Sequence, residues 1–127
     1  MSLYAQLQRR EAEGRPIRIG LIGAGKFGSM YLAQIPRTPG VHLVAIADLS
    51  PVAARNNLAR VGWNPAHVQA RSVDEALTTR NTWITEDWQA VTRNPHIDIV
   101  VECTGNPVAA VAHSLDAFVH GKGISMS

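Results

Sequence analysis

Three glycines in Gly23-Ala24-Gly25-Lys26-Phe27-Gly28 stand at the spacing G-x-G-x-x-G, directly after the apolar run 17–22. An acid, Asp48, follows twenty positions after Gly28, at the end of a second apolar run. A glycine triplet alone is weak evidence, because glycine is common. Here it leaves a strand pattern and opens a helix pattern, and each member has a physical task. Gly23 permits a tight turn. Gly25 lets the backbone approach a pyrophosphate. Gly28 lets the helix pack closely on the strand. The N–H groups at the helix start then face the anion.

Asp48 is placed to accept hydrogen bonds from the ribose hydroxyls of an adenosine, and its charge disfavours a 2′-phosphate. The pattern therefore implies NAD or NADP, with NAD favoured. The alternative is a solvated strand-end acid, or a cap for the next helix. Lys26 adds positive charge near the pyrophosphate, or is simply solvated. Phe27 is expected to pack into the core.

Thr104-Gly105-Asn106-Pro107 follows another apolar strand pattern, at the place where the nicotinamide half of a dinucleotide would lie. Cys103 just before it lacks a histidine base in evident reach, so it reads as a buried structural thiol. The histidines at 42, 67, 96, 113 and 120 show no zinc-site spacing, and no metal site is expected. Trp63, Trp83 and Trp88 read as core or interface anchors.

The elements that must hold these residues alternate. A short leading helix covers 3–13, closed by Gly14. Strands are expected over 17–22, 41–48, 83–85 and 97–103, with a fifth beginning at Ile124. Helices are expected over 26–35, from Ser50-Pro51 to about 61, from the capping box Ser72-Val73-Asp74-Glu75, over 86–93, and from Pro107 to about 120. This pattern implies an α/β fold, a Rossmann-type doubly wound parallel sheet in the order 3-2-1-4-5. The expected domains are a leading helix, 1–14, and a dinucleotide-binding unit, 15–127.

Composition excludes several classes. The 127 residues are 46% hydrophobic with a net charge of +2, which is ordinary for one globular domain. The basic residues are scattered singly, so no nucleic-acid footprint appears. Apolar runs are too short to span a bilayer, and the N-terminus carries no secretion signal, so a cytoplasmic location is expected. A methyltransferase reading is disfavoured, because Gly20-Leu21-Ile22 carries no acid before the first glycine.

Three runs carry a resemblance: 19–30 around the glycine loop, Val44-Ala45-Ile46-Ala47-Asp48-Leu49, and Val101-Glu102-Cys103-Thr104-Gly105-Asn106-Pro107. Together they resemble the N-terminal domain of the homoserine-dehydrogenase-like oxidoreductases whose longer members carry a SAF domain. One branch is similar to 1-deoxy-D-xylulose-5-phosphate reductoisomerase and uses NADPH in isoprenoid precursor synthesis. The resemblance implies a domain of a longer oxidoreductase that moves hydride between NAD(P) and a small alcohol, aldehyde or sugar-phosphate-type substrate. The implied cofactor-binding set is Gly23, Gly25, Lys26, Phe27, Gly28, Asp48, Leu49, Thr104, Gly105 and Asn106. The substrate and catalytic domain is absent from these residues, so no catalytic residue is named and the chain alone is expected to be inactive. Expected partners are a dinucleotide, a small-molecule substrate in the full-length parent, and further copies of the chain in a homo-oligomer. A non-enzymatic NAD(H)-sensing domain is the alternative function, since the same loop would serve it.

Overall fold

The structure, a computed structural model, describes residues 2–25 and 28–126. Five parallel strands make one sheet: β1 Ile17–Ile22, β2 Val41–Ala47, β3 Trp83–Thr85, β4 Ile99–Glu102 and β5 Gly123–Met126. Their order is β3-β2-β1-β4-β5, as the alternating sequence pattern predicts. A parallel sheet is covered on both faces, so its inner strands must be buried along most of their length. β2 meets that demand, with every residue from His42 to Ala47 buried. The edge strands β3 and β5 are short and largely half-buried or exposed.

Two apolar clusters hold the layers together. On one face Leu21, Leu43 and Ile46 pack against Leu32 of α2 (Ser29–Gln34) and against Ala54 and Leu58 of α3 (Pro51–Arg60). On the other, Val44 and Val100 pack against Ala76 of α4 (Val73–Thr79), Val91 of α5 (Trp88–Thr92) and Ala117 of α6 (Pro107–Val119). The helix starts follow local chemistry. Ser50 accepts from the Ala53 N–H, Ser72 from Glu75, Asp87 from Gln89, and Asn106 from Val108 and Ala109. These side chains satisfy donors that a first helical turn leaves without partners.

Three element starts differ from the sequence reading by two residues or more. Of the helix expected over 26–35, residues 26 and 27 lie outside the described residues, Gly28 caps it, and the regular part runs from Ser29 to Gln34; it ends in a 3₁₀ turn, Ile35–Arg37, because Pro36 has no N–H to continue the ladder. α5 begins at Trp88 and not at 86, because Asp87 is extended and serves as its cap. β4 begins at Ile99, opposite Ile19, and not at 97.

The leading helix α1 (Leu3–Ala12) buries no residue fully. It is attached at the amino edge of the sheet through Glu11, which accepts from the Gly40 N–H at 3.1 Å and pairs with the Arg80 guanidinium at 3.0 and 3.1 Å. A hollow of about 750 Å³ lies there, bordered by Tyr4, His42, Trp63 and Arg80.

His42, buried in β2, has its imidazole proton affinity held below the ordinary value. Burial is the main cause, and the bond between its Nε2 and the Asn81 carbonyl at 2.8 Å opposes it. The folded state therefore binds the proton less readily than the unfolded chain. Stability from this group is complete above the ordinary imidazole pKa of about 6.5 and falls as pH drops below it. Urea unfolding at pH 7.5 and pH 5.5 should show lower stability at the lower pH, and the difference should shrink in His42→Gln.

Candidate functional site

Four strands end level with one another. Ile22 pairs with Ala47 on one side and Glu102 on the other, and Ala47 pairs with Thr85. The ladder runs one residue further: Gly23 N–H donates to the Ala47 carbonyl, Asp48 N–H to Thr85, and Cys103 N–H to Ile22, at 2.8–2.9 Å. The residues leaving the strands, Gly23, Asp48, Glu86 and Cys103, therefore stand side by side along the carboxyl edge. A cleft of about 230 Å³ opens above them. Its walls include Gly23, Gly25, Asp48, Leu49, Glu86, Trp88, Cys103 and Thr104.

The glycines divide their work as their positions require. Gly23 has φ of +89°, and a Cβ there would lie 2.9 Å from the backbone of Cys103 and Thr104. Neither the conformation nor the space suits a side chain. A Cβ on Gly28 would lie 2.7 Å from the Gly23 carbonyl oxygen, so this glycine lets α2 close onto the loop. At Gly25 a Cβ would meet nothing within 4 Å, and among the described residues its N–H has no hydrogen-bond partner. Gly25 thus leaves its backbone open on the side where a Cβ would stand.

Asp48 holds this loop. Its Oδ2 accepts from the Ala24 N–H and its Oδ1 from the Ser50 N–H, each at 2.8 Å. The Ala24 carbonyl in turn accepts from Asn57 Nδ2 at 2.8 Å. Asp48 therefore ties the glycine loop to the turn leading into α3, whose cap is Ser50 and not Asp48. Asn57 and this anchoring role have no sequence signature, because they depend on how α3 lies against the loop.

A buried pair lies beneath the other wall. Glu102 is 2% exposed and His113, on the inner face of α6, is 8% exposed. His113 Nδ1 pairs with Glu102 Oε2, while Glu102 Oε1 accepts from the Thr104 N–H at 2.7 Å. The His113 ring stacks in a tilted geometry on Trp88, with centroids 4.6 Å apart. The pair fixes the start of the loop after β4. Its signal was legible in outline: His113 shares the inward face of α6 with Ala110 and Ala117, and an inward histidine needs a polar partner.

Of the residues that the sequence singled out, the cleft gathers Gly23, Gly25, Asp48, Leu49 and Thr104. Gly28 supports it from below. Gly105 and Asn106 are exposed and do not line it, and the Asn106 side chain is occupied in capping α6. Lys26 and Phe27 lie outside the described residues. Cys103 is buried at the cleft floor. Trp88, read as a core or interface anchor, is also part of the cleft wall. Among the described residues no group of His, Cys, Asp or Glu is arranged to hold a metal ion. No helix among them is long and apolar enough to cross a membrane.

The model of the Gfo/Idh/MocA oxidoreductase family, with its NAD-binding Rossmann fold, matches residues 17–124. The chain belongs to this family. Solved structures with the same fold include myo-inositol dehydrogenase from Lactobacillus casei in complex with NAD(H) and myo-inositol, at 20% identity and a TM-score of 0.64. Biliverdin reductase from Synechocystis sp. PCC 6803, in complex with biliverdin and NADP+, matches at 20% identity and a TM-score of 0.63. Scyllo-inositol dehydrogenase from Lactobacillus casei, with NAD(H) and scyllo-inositol, matches at 17% identity and a TM-score of 0.62. Each match covers 87% of this chain but only 28%, 29% and 27% of the other, respectively, so the chain spans under a third of their length. No curated protein sequence matches the chain.

Gfo/Idh/MocA membership corrects the resemblance to homoserine-dehydrogenase-like enzymes. The runs that carried it answer demands common to dinucleotide-binding Rossmann domains: a loop that approaches phosphate, an acid beside it, and a capped helix after β4. Residues selected by those demands separate this fold from others but not one dehydrogenase family from another.

The buried pair yields a stability test. His113→Ala would leave the Glu102 carboxylate buried without its imidazole, at a cost of about 3–5 kcal/mol. Urea denaturation should show that loss, with the double variant Glu102→Leu, His113→Leu recovering much of it.

Proposed function

We propose that residues 15–127 are the cofactor-binding unit of an NAD(P)-dependent oxidoreductase, with residues 1–14 as a leading helix. The observation that carries this reading is Gly25, which lines a cleft shared with two strand-end acids, has open space where a Cβ would stand, and has no hydrogen-bond partner for its N–H among the described residues. Backbone without a Cβ and with an available donor suits the close approach of a pyrophosphate oxygen. Gly23, Gly28, Asp48, Leu49 and Thr104 complete the proposed binding set, and Gly105 and Asn106 border it through the loop after β4. When bound, the nicotinamide ring supplies hydride donor and acceptor chemistry. The chain's own residues bind and orient the dinucleotide. Asp48 holds the loop in its binding shape, and the Glu102–His113 pair holds the wall at Thr104.

The proposed substrate of the whole protein is a small alcohol or carbonyl compound. Two of the three similar structures are inositol dehydrogenases. The groups that contact substrate are assigned to a part of the protein that residues 1–127 do not contain. Cofactor binding without turnover is therefore expected of this chain. Titration calorimetry with NAD+ should give measurable affinity that falls at least about tenfold, or ~1.4 kcal/mol, in Gly25→Val. Unchanged affinity in that variant would remove the glycine loop from the site.

Self-association belongs to the same reading. α6 exposes Val108, Val111, Leu115, Phe118 and Val119 beside the edge strand β5, so it is apolar on its outer side as well as its inner one. Apolar patches and open strand edges commonly become contacts between chains. Sedimentation velocity over a concentration series should show a dimer or larger species at micromolar concentration, and one monomeric species throughout would rule it out.

A further inference from the structure

The cleft holds a second acid, Glu86, that the glycine motif does not include. Its backbone place is set by the sheet. Ala47 pairs with Thr85, and the Asp48 N–H donates to the Thr85 carbonyl at 2.9 Å, so Glu86 leaves β3 next to where Asp48 leaves β2. Adjacent strands are about 4.8 Å apart. The turn beyond is fixed as well, because the Asp87 N–H donates to Thr85 Oγ1 at 3.1 Å and Asp87 caps α5. Glu86 itself takes no part in that capping. Among the described residues its carboxylate has no hydrogen-bond or ion-pair partner, although it lines the cleft with Asp48 and Leu49. Asp48, by contrast, uses both carboxylate oxygens on backbone N–H groups.

We propose that Glu86 is a second cofactor-selecting residue, which accepts from the adenosine ribose hydroxyls and repels a 2′-phosphate. This rests on the proposed cofactor site. No arginine or lysine lines the described cleft to neutralise either acid. A 2′-phosphate entering beside Asp48 therefore meets two carboxylates, of which only Asp48 is partly compensated by N–H donors. The division of labour follows from the bonding: Asp48 shapes the loop, and Glu86 supplies the free acceptor and the uncompensated charge.

Titration calorimetry with NAD+ and NADP+ on the 127-residue chain and its Glu86→Gln, Glu86→Lys and Gly25→Val variants tests this. Glu86→Gln keeps an acceptor oxygen and loses the charge. It should lower the NADP+ Kd about fivefold and change the NAD+ Kd by less than about twofold. Glu86→Lys should move the preference further toward NADP+, and raising the salt to about 0.5 M should shrink both shifts. A preference ratio that is unmoved in both variants, moves toward NAD+, or ignores salt overturns the assignment. If Gly25→Val abolishes binding of both cofactors while the Glu86 variants leave the ratio unmoved, the site stands and Glu86 is not its selector. Failure of the unsubstituted chain to bind either cofactor overturns the site reading and this inference together.

Discussion

The hydrogen bond from the Ala24 N–H to the Asp48 carboxylate is the contact on which the carboxyl edge depends. It joins the turn after β1 to the turn after β2, and it does so with a charged acceptor, the stronger kind of hydrogen bond. With Ala24 held, Gly23 keeps its left-handed conformation against the Cys103–Thr104 backbone, and Gly28 can close under it. Among the described residues of the loop, Gly25 then has open space where a Cβ would stand and an N–H without a hydrogen-bond partner. A loop that had to order itself upon each ligand would lose binding free energy to conformational entropy, and an anchored loop avoids that loss.

That contact works only because the strands end at one level. The parallel register sets Ile22, Ala47, Thr85 and Glu102 in one row, so the next residues form a continuous rim. Strand residues alternate faces, so a slip of one position exchanges the side chains presented to the two sides of the sheet. In β2 Leu43 and Ile46 fill one apolar cluster and Val44, Ala45 and Ala47 the other, and exchanging them would misfit both. Packing in the two apolar clusters thus fixes the placement of polar groups several residues away.

Much of this was legible in the residues. Strand and helix order followed from alternating apolar runs and from Ser50, Ser72, Asn106 and Pro107 at helix starts. The glycine tasks followed from steric demands local to the loop. What was not legible depended on contacts between elements distant in sequence. Asp48 was placed as a ribose acceptor because its position along the chain suggests that role, yet the carboxylate turns to Ala24 and Ser50, 24 and two residues away. Glu86 and Trp88 looked like the start of a helix and a core or interface anchor. They reach the cleft only because β3 pairs with β2 and because α5 starts after its cap at Asp87. The family is legible least of all, since the loop, the acid and the capped helix are shared across the fold.

The attachment of α1 at the opposite edge has a further consequence. Its side-chain links converge on Glu11, which receives Gly40 and Arg80, and it places no residue fully in the core. Such an element can detach at a free-energy cost well below that of global unfolding, as a separate cooperative unit. Among the described residues, none of the hydrogen bonds of the loop, the rim or the buried Glu102–His113 pair involves α1. Amide protons of α1 would therefore exchange with solvent on their own schedule, long before those of β1, β2 and β4 begin to open.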